Sequence, residues 1–335
     1  MENKIRVVQI SHHTKGRAIA IVEEPSLVLV GRFRSVYEAA LEACRGNISL
    51  KDLLLSNRSD QLLHYDSVYE GQDAWKLLPA FDVPENPFAC LVAGTGLTHR
   101  NSALNRQMMH GGDSKPSDSI IMYEWGVNDG FPEKGQIGVQ PEWFYKGNGS
   151  VLRAHGEALE VPAFANDGGE EPEIAGVYVV DGEGNPRRVG FASGNEFSDH
   201  VMEKKNYLYL APSKLRQCAI GPELVIGGEF TDIKGTVSVS TGNSEKWSSS
   251  VKTGESNMAH SLENLEYHHF KYPGHRIPLQ GHVHFFGADA FSFGNQVLLE
   301  SNDLMTVHWE GMGRALKNPI SVSNDPERII AITQL

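Results

Sequence analysis

Three glutamates in one short stretch, Glu171, Glu173 and Glu196, are the residues whose types and spacing point most directly to chemistry. The stretch begins Gly168-Gly-Glu-Glu-Pro-Glu-Ile-Ala-Gly and ends Gly190-Phe-Ala-Ser-Gly-Asn-Glu196. On an extended strand residues two apart share a face, so Glu171 and Glu173 project together. Residues 181–186 are rich in turn formers and lie between two apolar runs, which predicts a β-hairpin. Centred midway between Asp181 and Pro186, that hairpin sets Glu171 opposite Glu196, whereas a slip of one residue would carry Glu196 to the other face. Carboxylates crowded on one face raise each other's pKa unless a cation is present. Oxygen ligands with no accompanying His or Cys suit Mg²⁺, Mn²⁺ or Ca²⁺ rather than zinc. Taken alone, the segment also reads as an acidic surface loop.

Such residues need elements to hold them. From Phe88 onward Gly, Pro, Asn and Asp punctuate short apolar runs, as in a β-rich domain with long functional loops. Strands are predicted over 89–93, 142–146, 174–180, 188–192, 223–226, 237–239, 282–286 and 304–309, and helices over 198–204 and 257–267. Residues 243–256, rich in Ser, Thr and Lys, read as an exposed loop. Before Phe88 come apolar runs at 7–10, 18–22 and 27–30, then a helix over 36–43 stopped by Gly46. A second helix over 50–55 follows Ser49 as N-cap. The polar stretch 56–60 leads into a linker ending near Pro87. This layout divides the chain into a small unit over 1–80 and a larger one over 88–335.

The formal net charge of −12 argues against a nucleic-acid groove or a polybasic membrane contact. Hydrophobic residues at 40% allow a sizeable core, and charged residues at 21% exclude a disordered polymer. The N-terminus enters a strand-like run without a signal-peptide pattern, and no apolar run is long enough to span a bilayer. Cys44, Cys90 and Cys218 are scattered, which fits unpaired thiols in a reducing compartment, so the cytoplasm is the expected location. His12-His13, His268-His269 and His282-Val-His284 match no zinc spacing, and Gly94-Thr-Gly96 lacks the third glycine of a dinucleotide loop.

Several motifs resemble one known family, in its order. Glu171-Pro-Glu173-Ile-Ala resembles the metal-binding Glu-x-Glu-Leu-Ala strand of fumarylacetoacetate hydrolase-like proteins. Gly190-Phe-Ala-Ser-Gly-Asn-Glu-Phe-Ser198 resembles the next strand, whose Asn-Asp pair supplies a further ligand; Glu196 is one methylene longer than that Asp. Pro141-Glu-Trp-Phe-Tyr-Lys146 is similar to the strand carrying an active-site lysine. Ser213-Lys214 through Ile220-Gly-Pro222 is similar to the segment with a second pocket lysine. His282-Val-His-Phe-Phe-Gly-Ala288 and Thr306-Val-His-Trp-Glu-Gly-Met-Gly313, with Asn318-Pro319, resemble the closing strands, so the resemblance spans about residues 88–319.

Two departures narrow it. Hydrolases of the family carry an Asn-Tyr-x-x-His-x-x-Glu element that activates water. Here Gly96-Leu-Thr-His-Arg-Asn-Ser-Ala-Leu-Asn105 sets Ser102 and Asn105 at the His and Glu positions, and a family Gly-Thr-Pro becomes Gly287-Ala288-Asp289. With those changes the chain resembles the branch of 2-keto-3-deoxy sugar-acid dehydratases of bacterial pentose oxidation.

That resemblance implies an α+β protein: a small N-terminal α/β domain followed by a β-rich catalytic domain with a rolled mixed sheet. It implies a magnesium or manganese ion on Glu171, Glu173 and Glu196, and Lys214, Lys146 and His99 as catalytic groups. Ser102, Arg106, Gly287 and Ala288 would contact a small 2-oxo acid, and the assembly would be a homodimer or larger. The expected reaction is metal-dependent dehydration of a 2-keto-3-deoxy pentonate to 2-oxoglutarate semialdehyde, in sugar-acid catabolism. Two alternatives stay open: hydrolytic or aldol-type C–C cleavage of a 2-oxo or diketo acid, and a non-catalytic binding protein with a structural cation.

Overall fold

The computed structural model describes residues 4–110 and 116–335; residues 1–3, where the N-terminal reading begins, lie outside the described residues. A twelve-stranded mixed sheet forms its spine. Its path runs Arg58–His64, Ser26–Val30, Gly16–Glu23, Ile5–His12, Cys218–Ile226, Pro186–Asn195, Pro172–Val180, Gly281–Phe285, Cys90–Gly94 and Phe144–Asn148. Trp75–Leu77 pairs with the Ile5–His12 strand, and Leu152–Arg153 with Cys218–Ile226. A second sheet of five strands runs Ser244–Thr253, Ile233–Thr241, Asp303–Trp309, Leu316–Val322 and Leu159–Val161.

All nine residues of Pro172–Val180 are buried, the signature of a strand covered on both faces. Ala175, Val177 and Val179 pack into one core with Val36, Ala39 and Leu54 of the N-terminal helices. Ile174 and Tyr178 face a second core with Val237, Val307 and Trp309 of the smaller sheet. The alternation of the strand thus clamps the site-bearing hairpin between two apolar layers.

The N-terminal segment is not a separate sheet. Ile5 pairs with Ile226 and Val7 with Leu224, so the strands of residues 5–30 continue the same sheet that carries the hairpin. A third core, with Val8, Ile10, Ala20, Tyr65 and Trp75, covers the outer face of this extension.

Helix Val36–Gly46 starts where expected, with Ser35 accepting from the Glu38 N–H, but Asn47 rather than Gly46 is its left-handed cap, at φ 47°. Ser49 caps helix Leu50–Ser56 by accepting from the Asp52 N–H. Two loop readings are corrected. The stretch 243–256 holds the ten-residue strand Ser244–Thr253, paired along Ile233–Thr241, because Trp247 and Val251 supply apolar side chains to a hairpin whose exposed face is serine-rich. The polar stretch after Ser56 holds strand Arg58–His64, an edge strand, whose position explains its polar composition. Helices Arg100–His110 and Asp118–Asp129 were not foreseen, because neither presents a clear apolar stripe. No helix among the described residues is long and apolar enough to cross a membrane.

Candidate metal and substrate site

The hairpin of Pro172–Val180 and Pro186–Asn195 has the anticipated register beside the site: Pro172 pairs with Asn195 and Glu173 with Gly194. A bulge between Val177 and Tyr178 shifts the pairing by one only toward the turn. The Asn195 side-chain oxygen accepts from the Glu171 N–H at 3.3 Å, and the Trp309 indole donates to the Glu173 carbonyl at 3.0 Å. Both bonds pin the backbone between the glutamates.

Glu171, Glu173 and Glu196 are buried, and each offers a carboxylate oxygen within 4.8 Å of the other two. Two buried lysines enter the same cluster. Lys146, on strand Phe144–Asn148, donates to Glu196 and to the Phe197 carbonyl at 2.9 Å. Lys214, just after the short helix Leu210–Ser213, donates to Glu171 and Glu196 at 2.6 Å each and to the Ser198 hydroxyl at 3.0 Å. Its ammonium also lies 4.7 Å from the Phe144 ring centroid.

The signs of the neighbouring charges decide how each group responds to burial. Burial would raise Glu171, but Lys214, His200 and Arg106 outweigh it and hold that carboxyl well below the usual range. Glu173 moves the other way: burial, then the negative charges of Glu196 and Glu171, push it well above its ordinary value. Burial disfavours the Lys214 ammonium, yet Glu171 and Glu196 overcome that and raise its pKa. This donor set fits a hard divalent cation: buried carboxylate oxygens converge, and Glu173 stands in a surplus of negative charge that such an ion would neutralise.

The other anticipated residues lie at varied places. Gly287 donates its N–H to Glu173 at 2.6 Å, with φ at 98°, and a Cβ there would stand 2.0 Å from the Thr98 hydroxyl. Ala288 beside it is buried. Ser102 and Arg106 sit buried on helix Arg100–His110. The Arg106 guanidinium is already engaged, 3.0 Å from Glu142 and 3.0 Å from Glu203. His99 is buried but hydrogen-bonded to Thr98 at 2.9 Å and Thr253 at 3.2 Å, with no bond to the three carboxylates among the described residues. Burial, opposed by Asp289, pushes its pKa down to about 4.

Sequence reasoning passed over several neighbours. Glu142 accepts from Arg106 and, at 2.6 Å, from the Tyr207 hydroxyl, although it stands inside the motif that singled out Lys146. His200 lies 3.0 Å from Glu171 through Nε2. The spacing of Asp199 and His200 after Glu196 held no signal of its own. A cavity of about 840 Å³ between helix Val36–Gly46 and residues 277–280 is lined by none of the three carboxylates.

No family model matches this sequence, and no curated protein matches it. Solved structures do. A 2-keto-3-deoxy-D-arabinonate dehydratase complexed with magnesium and 2,5-dioxopentanoate is similar over 96% of this chain and 100% of its own, with a TM-score of 0.71 at 17% identity. Fumarylacetoacetate hydrolase from Exiguobacterium antarcticum is similar over 95% of this chain and 100% of its own, with a TM-score of 0.59 at 14% identity. A 5-carboxymethyl-2-hydroxymuconate delta-isomerase from Mycobacterium smegmatis gives 0.57 at 17% identity, over 96% of this chain and 100% of its own. At these identities the likeness is one of fold. This chain shares its fold with these dehydratase, hydrolase and isomerase structures, a mixed α/β architecture dominated by strands.

Proposed function

We propose that this chain is a divalent-cation-dependent enzyme that dehydrates a 2-keto-3-deoxy pentonate to 2-oxoglutarate semialdehyde. The observation that carries this reading is the convergence of three buried carboxylates and two buried lysines on one small site. The semialdehyde is the same compound as the 2,5-dioxopentanoate named with the similar dehydratase structure.

Glu171, Glu173 and Glu196 would hold magnesium or manganese. When bound, such an ion supplies positive charge that draws electrons from the C2 carbonyl of a 2-oxo acid and makes the C3 proton more acidic. We assign the chain's own groups as follows. Lys214 Nζ, an ammonium that donates to Glu171, Glu196 and Ser198, is assigned as the base for the C3 proton: a cation on those glutamates would push it toward its neutral amine, which can accept a proton. Among the described residues Lys146 donates to Glu196 and the Phe197 carbonyl, and its third N–H is assigned to hold a substrate oxygen. Loss of the C3 proton and the C4 hydroxyl releases water. Migration of the double bond toward C5 then gives the aldehyde, so no water molecule is needed as nucleophile. That balance agrees with Ser102 and Asn105 standing where hydrolases carry a His and a Glu. Gly287 and Ala288, on the strand exit that touches Glu173, are assigned to the substrate pocket. His99, near neutral pH an uncharged imidazole, is assigned as a hydrogen-bonding contact to the substrate's hydroxyl rather than as its acid. The active assembly is proposed as a cytoplasmic homodimer or larger.

The test is turnover of 2-keto-3-deoxy-pentonates of both C4 configurations with Mg²⁺ and then with EDTA, coupled to oxidation of the semialdehyde. Metal-dependent signal supports dehydration. Metal-dependent pyruvate instead moves the reaction to C–C cleavage, and silence with tight metal binding returns the structural-cation reading.

A further inference from the structure

One segment packs against Glu170 and His200, the neighbours of the carboxylate cluster, without touching its three carboxylates. Phe291-Ser292-Phe293 follows strand Gly281–Phe285 and opens a short 3₁₀ turn, Ser292–Asn295. The Ser292 N–H donates to Glu170 at 2.6 Å and the Ser292 hydroxyl donates to the other oxygen of Glu170 at 2.8 Å. Glu170 precedes Glu171, so these bonds fix the backbone from which Glu171 projects. The flanking rings grip a different residue. The His200 imidazole stacks with Phe291 at 4.8 Å between centroids and 4° between planes, and with Phe293 at 5.2 Å and 26°.

That imidazole has one polar tie. Its Nε2 lies 3.0 Å from Glu171 Oε1, and its Nδ1 is buried with no hydrogen-bond partner among the described residues. An ionised carboxylate only accepts, so Nε2 is the donor. The Nδ1 edge faces Gly169, where a Cβ would stand 2.7 Å from Nδ1 and 2.9 Å from the adjacent ring carbon. Gly169 is itself fixed by paired backbone bonds with Ser198, at 2.9 and 3.1 Å. The ring is thus stacked against phenylalanines, bounded by a glycine backbone and aimed at a single carboxylate oxygen. Buried polar groups left half-satisfied cost stability, so this arrangement is not what packing alone selects.

We infer that His200, seated by Phe291, Phe293 and Gly169, is a positioning residue that orients the Glu171 carboxylate to receive a divalent cation. The inference rests on the reading of Glu171 as a ligand. Partners of this kind, one shell out from an ion, fix ligand orientation and commonly change metal affinity about 10–100-fold when removed.

The experiment is calorimetric titration of the purified full chain with Mn²⁺, comparing wild type with His200→Leu, His200→Gln and Gly169→Ala. Folding of each is followed by melting in EDTA. Wild type is expected to bind, and His200→Leu to bind about 10–100-fold more weakly. His200→Gln, whose amide reaches a similar donor position, is expected to recover part of the loss. Gly169→Ala, which touches no carboxylate, is expected to weaken binding by displacing the ring. If His200→Leu does not fold, Gly169→Ala decides the matter. Unchanged Mn²⁺ affinity in the folded variants overturns the positioning role, as does equal loss in His200→Gln and His200→Leu. Absence of binding to wild type instead overturns the ligand reading beneath it.

Discussion

Glu196 and Glu171 face each other across the hairpin, the backbone N–H of Glu196 donating to the Glu171 carbonyl at 2.9 Å. Their carboxylates share one ammonium, that of Lys214, which reaches Glu171 Oε1 and Glu196 Oε2 at equal distances of 2.6 Å. Strand register therefore sets the chemistry: a pairing one residue out would point Glu196 away from both partners.

Lys214→Met should expose that dependence without metal. Removing one partner of a buried ion pair leaves an uncompensated charge, so a loss of about 3–5 kcal/mol is expected in EDTA. Added Mg²⁺ should restore part of it, because the ion takes over the neutralising role. Urea unfolding with and without Mg²⁺ measures both quantities, and turnover should fall to background in either condition.

Arg106→Met separates two roles for that side chain. Its guanidinium lies between Glu142 and Glu203, with side-chain exposures of 3%, 3% and 2% in that order, which marks a buried network rather than an open anchor. The expected result is a stability loss of about 3–5 kcal/mol. A variant of wild-type stability with only a raised KM would instead make Arg106 a direct substrate contact.

Gly287→Ala should be costly despite its small size. The residue combines φ of 98° with a would-be Cβ contact of 2.0 Å to Thr98. A loss of about 1–3 kcal/mol is expected from the backbone conformation alone. The displaced N–H would also release Glu173, so Mn²⁺ affinity should drop with the melting temperature.

Acid should destabilise the fold earlier than carboxylate protonation alone requires. Burial, followed by neighbouring histidines, holds the pKa of His282 and His284 at about 3, and burial holds His99 at about 4. An unfolded histidine titrates near ~6.5, so below that pH the unfolded chain binds more protons than the folded one. The stabilising contribution is therefore full above ~6.5 and is lost as pH falls toward the folded values. At pH ~5 the effect is about 2 kcal/mol for each such histidine. Urea unfolding of wild type and His282→Asn at pH 7 and pH 5 checks it, because Glu173 and His200, both raised, act in the opposite direction in each protein. An equal change with pH in the two proteins would overturn the contribution assigned to His282.

The legible part of the site lay in local pattern. The i, i+2 spacing of Glu171 and Glu173 and the turn at 181–186 gave the face and the register, since both follow from strand geometry. Lys146 and Lys214 were reached through motif order and not through any property of the lysines themselves. The rest was illegible because long-range packing decides it. His200 looks like an ordinary helix residue until Phe291 and Phe293, far along the chain, stack with it. Arg106 is indistinguishable from a solvated arginine until Glu142 and Glu203 arrive from separate elements. Strand Ser244–Thr253 was misread because its serines weaken the apolar alternation, while its pairing partner supplies the order.

The pairing of strand Ile5–His12 with Cys218–Ile226 has a consequence for how the molecule is made. On a ribosome the chain emerges from the N-terminus, so Ile5 waits until Ile226 has been synthesised before its sheet edge is closed. In that interval the first strands carry an open row of peptide groups, the kind of edge that recruits a neighbouring nascent chain. Yield from cells should accordingly be sensitive to temperature and to translation speed over residues 30–218, even when the finished protein is stable.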